Sequence, residues 1–85
     1  MTKYTIYTKD SCIWCVRAKE LMKQYHISYE EKKLGVDYTK DDLIKLLGRE
    51  TNITVPQILI GDRLIGGHDD LVQYMEDHGI SGPRQ

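Results

Sequence analysis

The chain has no phenylalanine, one tryptophan, two prolines and two cysteines in 85 residues. So few cysteines argue against the small secreted folds that several long-range disulfides hold together. The two present, Cys12 and Cys15, stand three positions apart, and a bridge closing so short a loop constrains the unfolded chain very little. An excess of charge of one sign is also missing. The formal net charge is -1, whereas a nucleic-acid surface needs clustered Lys and Arg and a high pI, so no nucleic-acid partner is expected. No apolar run approaches the roughly 18 residues of a membrane span. Residues 1–10 are mixed in polarity and lack the apolar stretch of a secretory leader. The expectation is a cytoplasmic protein without membrane contact. The length suits one domain, 1–85, with a tail over 79–85, containing Gly82 and Pro83, expected to fray.

What is present is a change of period along the chain. Lys3-Tyr4-Thr5-Ile6-Tyr7-Thr8 is rich in β-branched and aromatic residues and predicts a strand. From Ile13 to about Tyr25 the apolar positions Cys15, Ala18, Met22 and Tyr25 fall on one helical face, with Asp10 or Ser11 placed to cap its start. Ile27 to Lys33 predicts a second strand, and Gly35 to Tyr38 a connection. Thr39 is placed to cap a helix whose first turn holds Asp41 and Asp42, and Gly48 to stop it. Gln57–Ile60 and Arg63–Ile65, joined by Gly61-Asp62, read as a hairpin that Gly66-Gly67 ends. A last helix runs from about Asp69 to Asp77. The order β-α-β-α-β-β-α, with a right-handed crossover in its first unit, predicts an α/β fold: a four-stranded mixed sheet with three helices spread over both faces.

The chemistry concentrates at Cys12-Ile13-Trp14-Cys15, where a strand passes into a helix. Free N–H groups and the macrodipole make a helix start positive. A thiolate there is stabilised, and the cysteine pKa falls from about 8.5 into the range of roughly 3.5–7.5. Lys9 adds a cation nearby. Because the thiolate is the attacking species in disulfide exchange, Cys12 is assigned as nucleophile. Cys15, one turn further in and pointing back, is assigned as the resolving thiol. Two plainer readings compete. Zinc usually needs four ligands, and His26, His68 and His78 lack paired ligand spacing. Two inert buried cysteines are the other, since free Cys packs as a small hydrophobe.

Two further places stand out. Val55-Pro56 precedes a core strand; by base rates alone its bond is trans. Gly66-Gly67-His68-Asp69-Asp70 lies at a strand-to-helix junction. There the helix N-terminus suits a carboxylate and the aspartates an ammonium, as in a zwitterionic amino-acid head. Ordinary helix capping by an aspartate explains the same residues.

Together these motifs closely resemble the glutaredoxins, of thioredoxin-like fold. The resemblance rests on Tyr7-Thr8-Lys9 with Cys12-x-x-Cys15, on Thr54-Val55-Pro56-Gln57-Ile58, and on Ile65-Gly66-Gly67-x-Asp69-Asp70-Leu71. It covers about Lys3 to Gly79, at the size of the short bacterial and bacteriophage dithiol members. It implies a cis Val55-Pro56 bond and a disulfide reductase that draws electrons from glutathione. By the same resemblance, the glutathione site would comprise Lys9 at the glycyl carboxylate, Trp14, Thr54, Val55 and Pro56 around the cysteinyl unit, and Gly67, His68, Asp69 and Asp70 at the γ-glutamyl end. Arg49 is a further possible partner of the glycyl carboxylate. The implied partners are glutathione and disulfide-containing proteins, ribonucleotide reductase among them, acting on a monomer with no bound cofactor. The motif departs from the family's common Cys-Pro-Tyr-Cys: Ile13 lacks proline's preset φ and Trp14 lacks a hydroxyl. Members without that proline sometimes share a glutathione-ligated [2Fe–2S] cluster between two subunits, which stays open here. So does reduction by thioredoxin reductase, although those redoxins lack the Gly-Gly-x-Asp-Asp segment.

Overall fold

The computed structural model describes residues 3–79. The elements are β1 (Tyr4–Thr8), α1 (Ile13–Gln24), β2 (Tyr29–Lys33), α2 (Lys40–Leu47), β3 (Gln57–Ile60), β4 (Arg63–Gly66) and α3 (His68–Asp77). The strands lie in the order β2-β1-β3-β4. β1 pairs parallel with β2, and β3 pairs antiparallel with both β1 and β4. This is the mixed four-stranded sheet and three helices of the thioredoxin-like architecture that the pattern predicts. Of the expected frayed tail, residues 80–85 lie outside the described residues.

Alternation along β1 assigns its two faces. Ile6 points into a core formed with Ala18 and Met22 of α1, Ile58 of β3, and Leu71 and Met75 of α3. These are residues three or four apart on each helix, so α1 and α3 each present one apolar stripe to the same side of the sheet. Tyr7 points to the opposite face, where its ring meets Tyr38 edge-on at 4.9 Å. The Tyr38 hydroxyl donates to the Thr8 carbonyl oxygen at 2.7 Å. Tyr38 and the buried Leu43 of α2 line a common hollow on that side. Burial holds the Tyr38 hydroxyl above the ordinary tyrosine pKa, with a smaller contribution from Tyr7.

The element ends differ from the sequence reading in instructive ways. β2 begins at Tyr29 rather than Ile27 because Ile27 is used to close α1: its N–H donates to the Met22 carbonyl, with His26 in the left-handed conformation where glycine usually stands. α2 starts as expected. The Thr39 hydroxyl accepts from the Asp42 N–H, the Asp42 carboxylate accepts from the Thr39 N–H, and Gly48 ends the helix at φ 69°. β4 continues through Gly66, which pairs with Ile58, and α3 starts one residue early, at His68.

Candidate active site

The sheet delivers Cys12 to the end of β1, where Ser11 takes a left-handed φ of 57° and turns the chain. Cys12 then stands in extended conformation as the N-cap of α1, and its Sγ accepts from the Cys15 N–H at 3.2 Å. The cap expected at Asp10 or Ser11 is thus Cys12 itself. Ser11 is spent on the turn, while the Asp10 carboxylate pairs with Lys33 at 2.7 Å. The sulfurs of Cys12 and Cys15 are joined in a disulfide, with Cα atoms 5.2 Å apart. Cys15 is 2% exposed, whereas Cys12 is partly open to solvent. The more accessible sulfur is therefore the one at the positive end of the helix.

Val55-Pro56 is cis, so the base-rate expectation of trans fails and the one carried by the resemblance holds. The Val55 carbonyl oxygen lies 3.8 Å from Cys12 Sγ. The loop ahead of it is clasped by Gln57, buried, whose Nε2 donates to the Thr54 carbonyl at 2.9 Å. Beside this loop opens a hollow of about 240 Å³ lined by Trp14, Thr54, Val55, Pro56, Gly67, His68, Asp69 and Asp70. Those are the residues that the resemblance assigns to glutathione, all but Lys9. Lys9 lines a neighbouring hollow of about 280 Å³ with Thr54 and Val55. The Arg49 guanidinium donates to the Asn52 carbonyl at 3.4 Å, and the residue borders a further hollow that shares Thr54, Gly67 and Asp70 with the first.

The two aspartates do different things. Asp70 accepts from the Gly67 N–H at 2.9 Å, half of a capping box whose glycine offers nothing in return. Asp69 is 95% exposed at its side chain and bonds only to His68 Nδ1, at 3.1 Å. Gly66 sits at φ +123°, and a Cβ there would run into the Asp70 carboxylate, so the close approach of strand to helix needs glycine. Among the described residues no group of three or more His, Cys, Asp or Glu side chains gathers to hold a metal, so the zinc alternative finds no donor set in them. Nor is any helix in them long and apolar enough to cross a membrane.

The glutaredoxin family model matches residues 4–65. The chain belongs to the glutaredoxin family. It is 42% identical to glutaredoxin 3 of Escherichia coli over 72 residues, 84% of this chain and 83% of that protein. It is also 43% identical, over 70 residues, to the hybrid peroxiredoxin of Haemophilus influenzae, but the match is 82% of this chain and only 28% of that much longer protein. Among solved structures, glutaredoxin 1 of Francisella tularensis, crystallised with cacodylate, superposes with a TM-score of 0.74 at 29% identity, covering 95% of this chain and all of that one. A buckwheat glutaredoxin in complex with glutathione gives 0.76 at 25% identity, over 93% of this chain and 73% of that one. This glutaredoxin is therefore a thiol–disulfide oxidoreductase with a thioredoxin-like fold.

Sequence reasoning missed one residue beside the dithiol, Arg17, and one contact of a residue it did name, His68. Arg17 places its guanidinium 5.0 Å from the Trp14 ring centre, and His68 tilts against the same ring at 5.2 Å. The i, i+3 spacing of Trp14 and Arg17 carried the first signal, since such residues are neighbours on a helix. The second joins residues far apart in sequence and had no local signal.

Proposed function

We propose that this glutaredoxin is glutathione-dependent and reduces both protein disulfides and glutathione mixed disulfides. The observation that carries this reading is the hollow from Trp14 to Asp70, which opens next to the Val55 carbonyl that approaches Cys12. A γ-glutamyl head would set its carboxylate at the N–H groups that start α3 and its ammonium at Asp69 and Asp70. The glutathione cysteinyl unit would pair with the Val55 backbone. The glycyl carboxylate would meet Lys9, which shares a wall with Thr54 and Val55. Trp14 supplies an apolar flank in place of a hydroxyl.

In this reading the Cys12 thiolate attacks one sulfur of a protein disulfide. A Cys12–protein bond forms and the second protein sulfur leaves as thiolate. The Cys15 thiolate then attacks Cys12 Sγ and releases the first protein sulfur, so two electrons pass from the dithiol and the Cys12–Cys15 disulfide remains. Two glutathione molecules reduce it in turn and leave as glutathione disulfide. The difference in exposure between the two sulfurs supports this division of labour. The family resemblance nominates ribonucleotide reductase as one protein substrate, and a cytoplasmic monomer as the acting form.

Reduction of a glutathione mixed disulfide, coupled to glutathione reductase and NADPH, tests the proposal, with a parallel assay coupled to thioredoxin reductase. Turnover with glutathione alone is the expected result. Turnover with thioredoxin reductase alone would keep the dithiol chemistry and reduce the Gly66–Asp70 segment to helix capping.

A further inference from the structure

A further hollow opens beside Cys12. It has a volume of about 650 Å³, and Cys12, Cys15, Ile13, Val16 and Val36 are among the residues lining it. It shares no lining residue with the hollow from Trp14 to Asp70. Three exposed large apolar side chains border it: Ile13 at 59%, Val16 at 45% and Val36 at 77%. Single exposed apolar residues are ordinary, but a contiguous set marks an interaction site. Val36 is held out by its backbone. Its N–H and that of Asp37 both donate to the Lys33 carbonyl, at 3.1 and 2.8 Å, and the Gly35 N–H donates to the Tyr38 carbonyl at 2.9 Å. The Lys33–Asp10 pair ties this turn to the loop that carries Cys12.

The acidic groups on the rim are already engaged. Asp10 pairs with Lys33, Glu31 with Lys19, and Asp37 accepts from the Lys33 N–H. Lys9 is the remaining charged group on the rim, so the groove offers the apolar faces of Ile13, Val16 and Val36 beside one cation. Cys12 and Cys15 both line it, so a polypeptide settled there would lie beside the attacking sulfur.

We infer that this groove docks the polypeptide bearing the target disulfide and selects a segment with an aliphatic side chain beside its reactive cysteine. The inference rests on Cys12 as the attacking sulfur and not on where glutathione binds. Bond making and breaking are those of the Cys12 and Cys15 steps above: the dithiol gives two electrons, the peptide disulfide takes them, and two peptide thiols leave.

Single-turnover reduction by the pre-reduced full chain, followed through the fluorescence of its only tryptophan, Trp14, tests this without any recycling system. The substrates are two short peptides, each closed by a disulfide, with isoleucine beside the cysteines in one and serine in the other. The isoleucine peptide should react about fivefold faster, as partial burial of an aliphatic side chain implies. Val16→Ser with Val36→Ser should bring the two rates together and leave reaction with glutathione disulfide unchanged. Equal peptide rates in the native chain, or a preference that survives in the double variant, would overturn the inference. So would a concentration-dependent dimer that Val36→Ser abolishes, because a second copy would then be the occupant. Failure of the glutathione reading would show separately, as no response to glutathione disulfide in either protein, while the peptide ratio would still decide the groove.

Discussion

Asp69 and Asp70 adjoin each other at the start of α3, and three substitutions separate ligand binding from helix capping. Asp70→Ala removes the acceptor of the Gly67 N–H, a bond of 2.9 Å. Loss of one such hydrogen bond costs about 1 kcal/mol, which in a domain of this size lowers Tm by roughly 4–8 °C. Asp70→Asn keeps an acceptor oxygen and should recover most of that loss. Asp69 makes no such bond. Its side chain is 95% exposed and touches only His68, and an exposed pair of that kind contributes little. Asp69→Asn should therefore move Tm by no more than about 2 °C. The glutathione assay should rank the variants differently. If both carboxylates face the ammonium of the γ-glutamyl head, each charge removed should raise the KM for glutathione by about two- to fivefold, the range of a partly screened charge contact, with kcat little changed. Thermal melts and steady-state kinetics on the same preparations give both readouts. A normal KM in Asp69→Asn would refute the ligand role, because nothing structural in that variant masks it. An unchanged Tm in Asp70→Ala would refute the capping argument.

Three further outcomes are expected. Cys12→Ser should abolish reduction of every disulfide substrate, and appreciable turnover would remove Cys12 from the nucleophile's place. Cys15→Ser should stop reduction of protein disulfides but spare removal of glutathione from mixed disulfides, which one thiol can perform; loss of neither activity would mean that Cys15 does not resolve the intermediate. Glu31 accepts from the Thr8 hydroxyl at 2.7 Å and from Lys19 at 3.1 Å, and these contacts, the Thr8 bond foremost, hold its carboxyl below the ordinary value of 4.5. A carboxyl lowered in the folded state stabilises above its unfolded value, and that part is lost as pH falls through the folded value. The native chain should therefore exceed Glu31→Gln in urea midpoint at neutral pH, with the difference shrinking below about pH 4.5; a constant difference down to about pH 3 would show that Glu31 acts by packing alone.

How far the sequence announces this molecule depends on the range of the interaction concerned. The core stripe of α1 and the capping box of α2 are local patterns, and Ala18, Met22, Thr39 and Gly48 could be placed from spacing alone. The cap of α1 escapes the sequence because sulfur is a weak acceptor and the usual capping residues, Asp10 and Ser11, stand just ahead of it. Only the left-handed Ser11 shows that the turn consumes that residue and hands the cap to Cys12. The start of β2 is hidden for a related reason. Ile27 has a strand former's side chain, but its N–H is committed to Met22, a backbone choice that side-chain type does not reveal. At the site, motif resemblance named the residues, yet spacing could not say that Trp14 reaches His68 across 54 positions, nor that the hollow lined by Cys12 has no wall in common with the one from Trp14 to Asp70. Both depend on β1 and β3 lying side by side at the centre of the sheet. That pairing brings the Val55-Pro56 loop ahead of β3 to the end of β1, where the dithiol sits. With the loop on one flank and the Val36 turn on the other, Cys12 is left as the point where the small thiol and the large disulfide would meet.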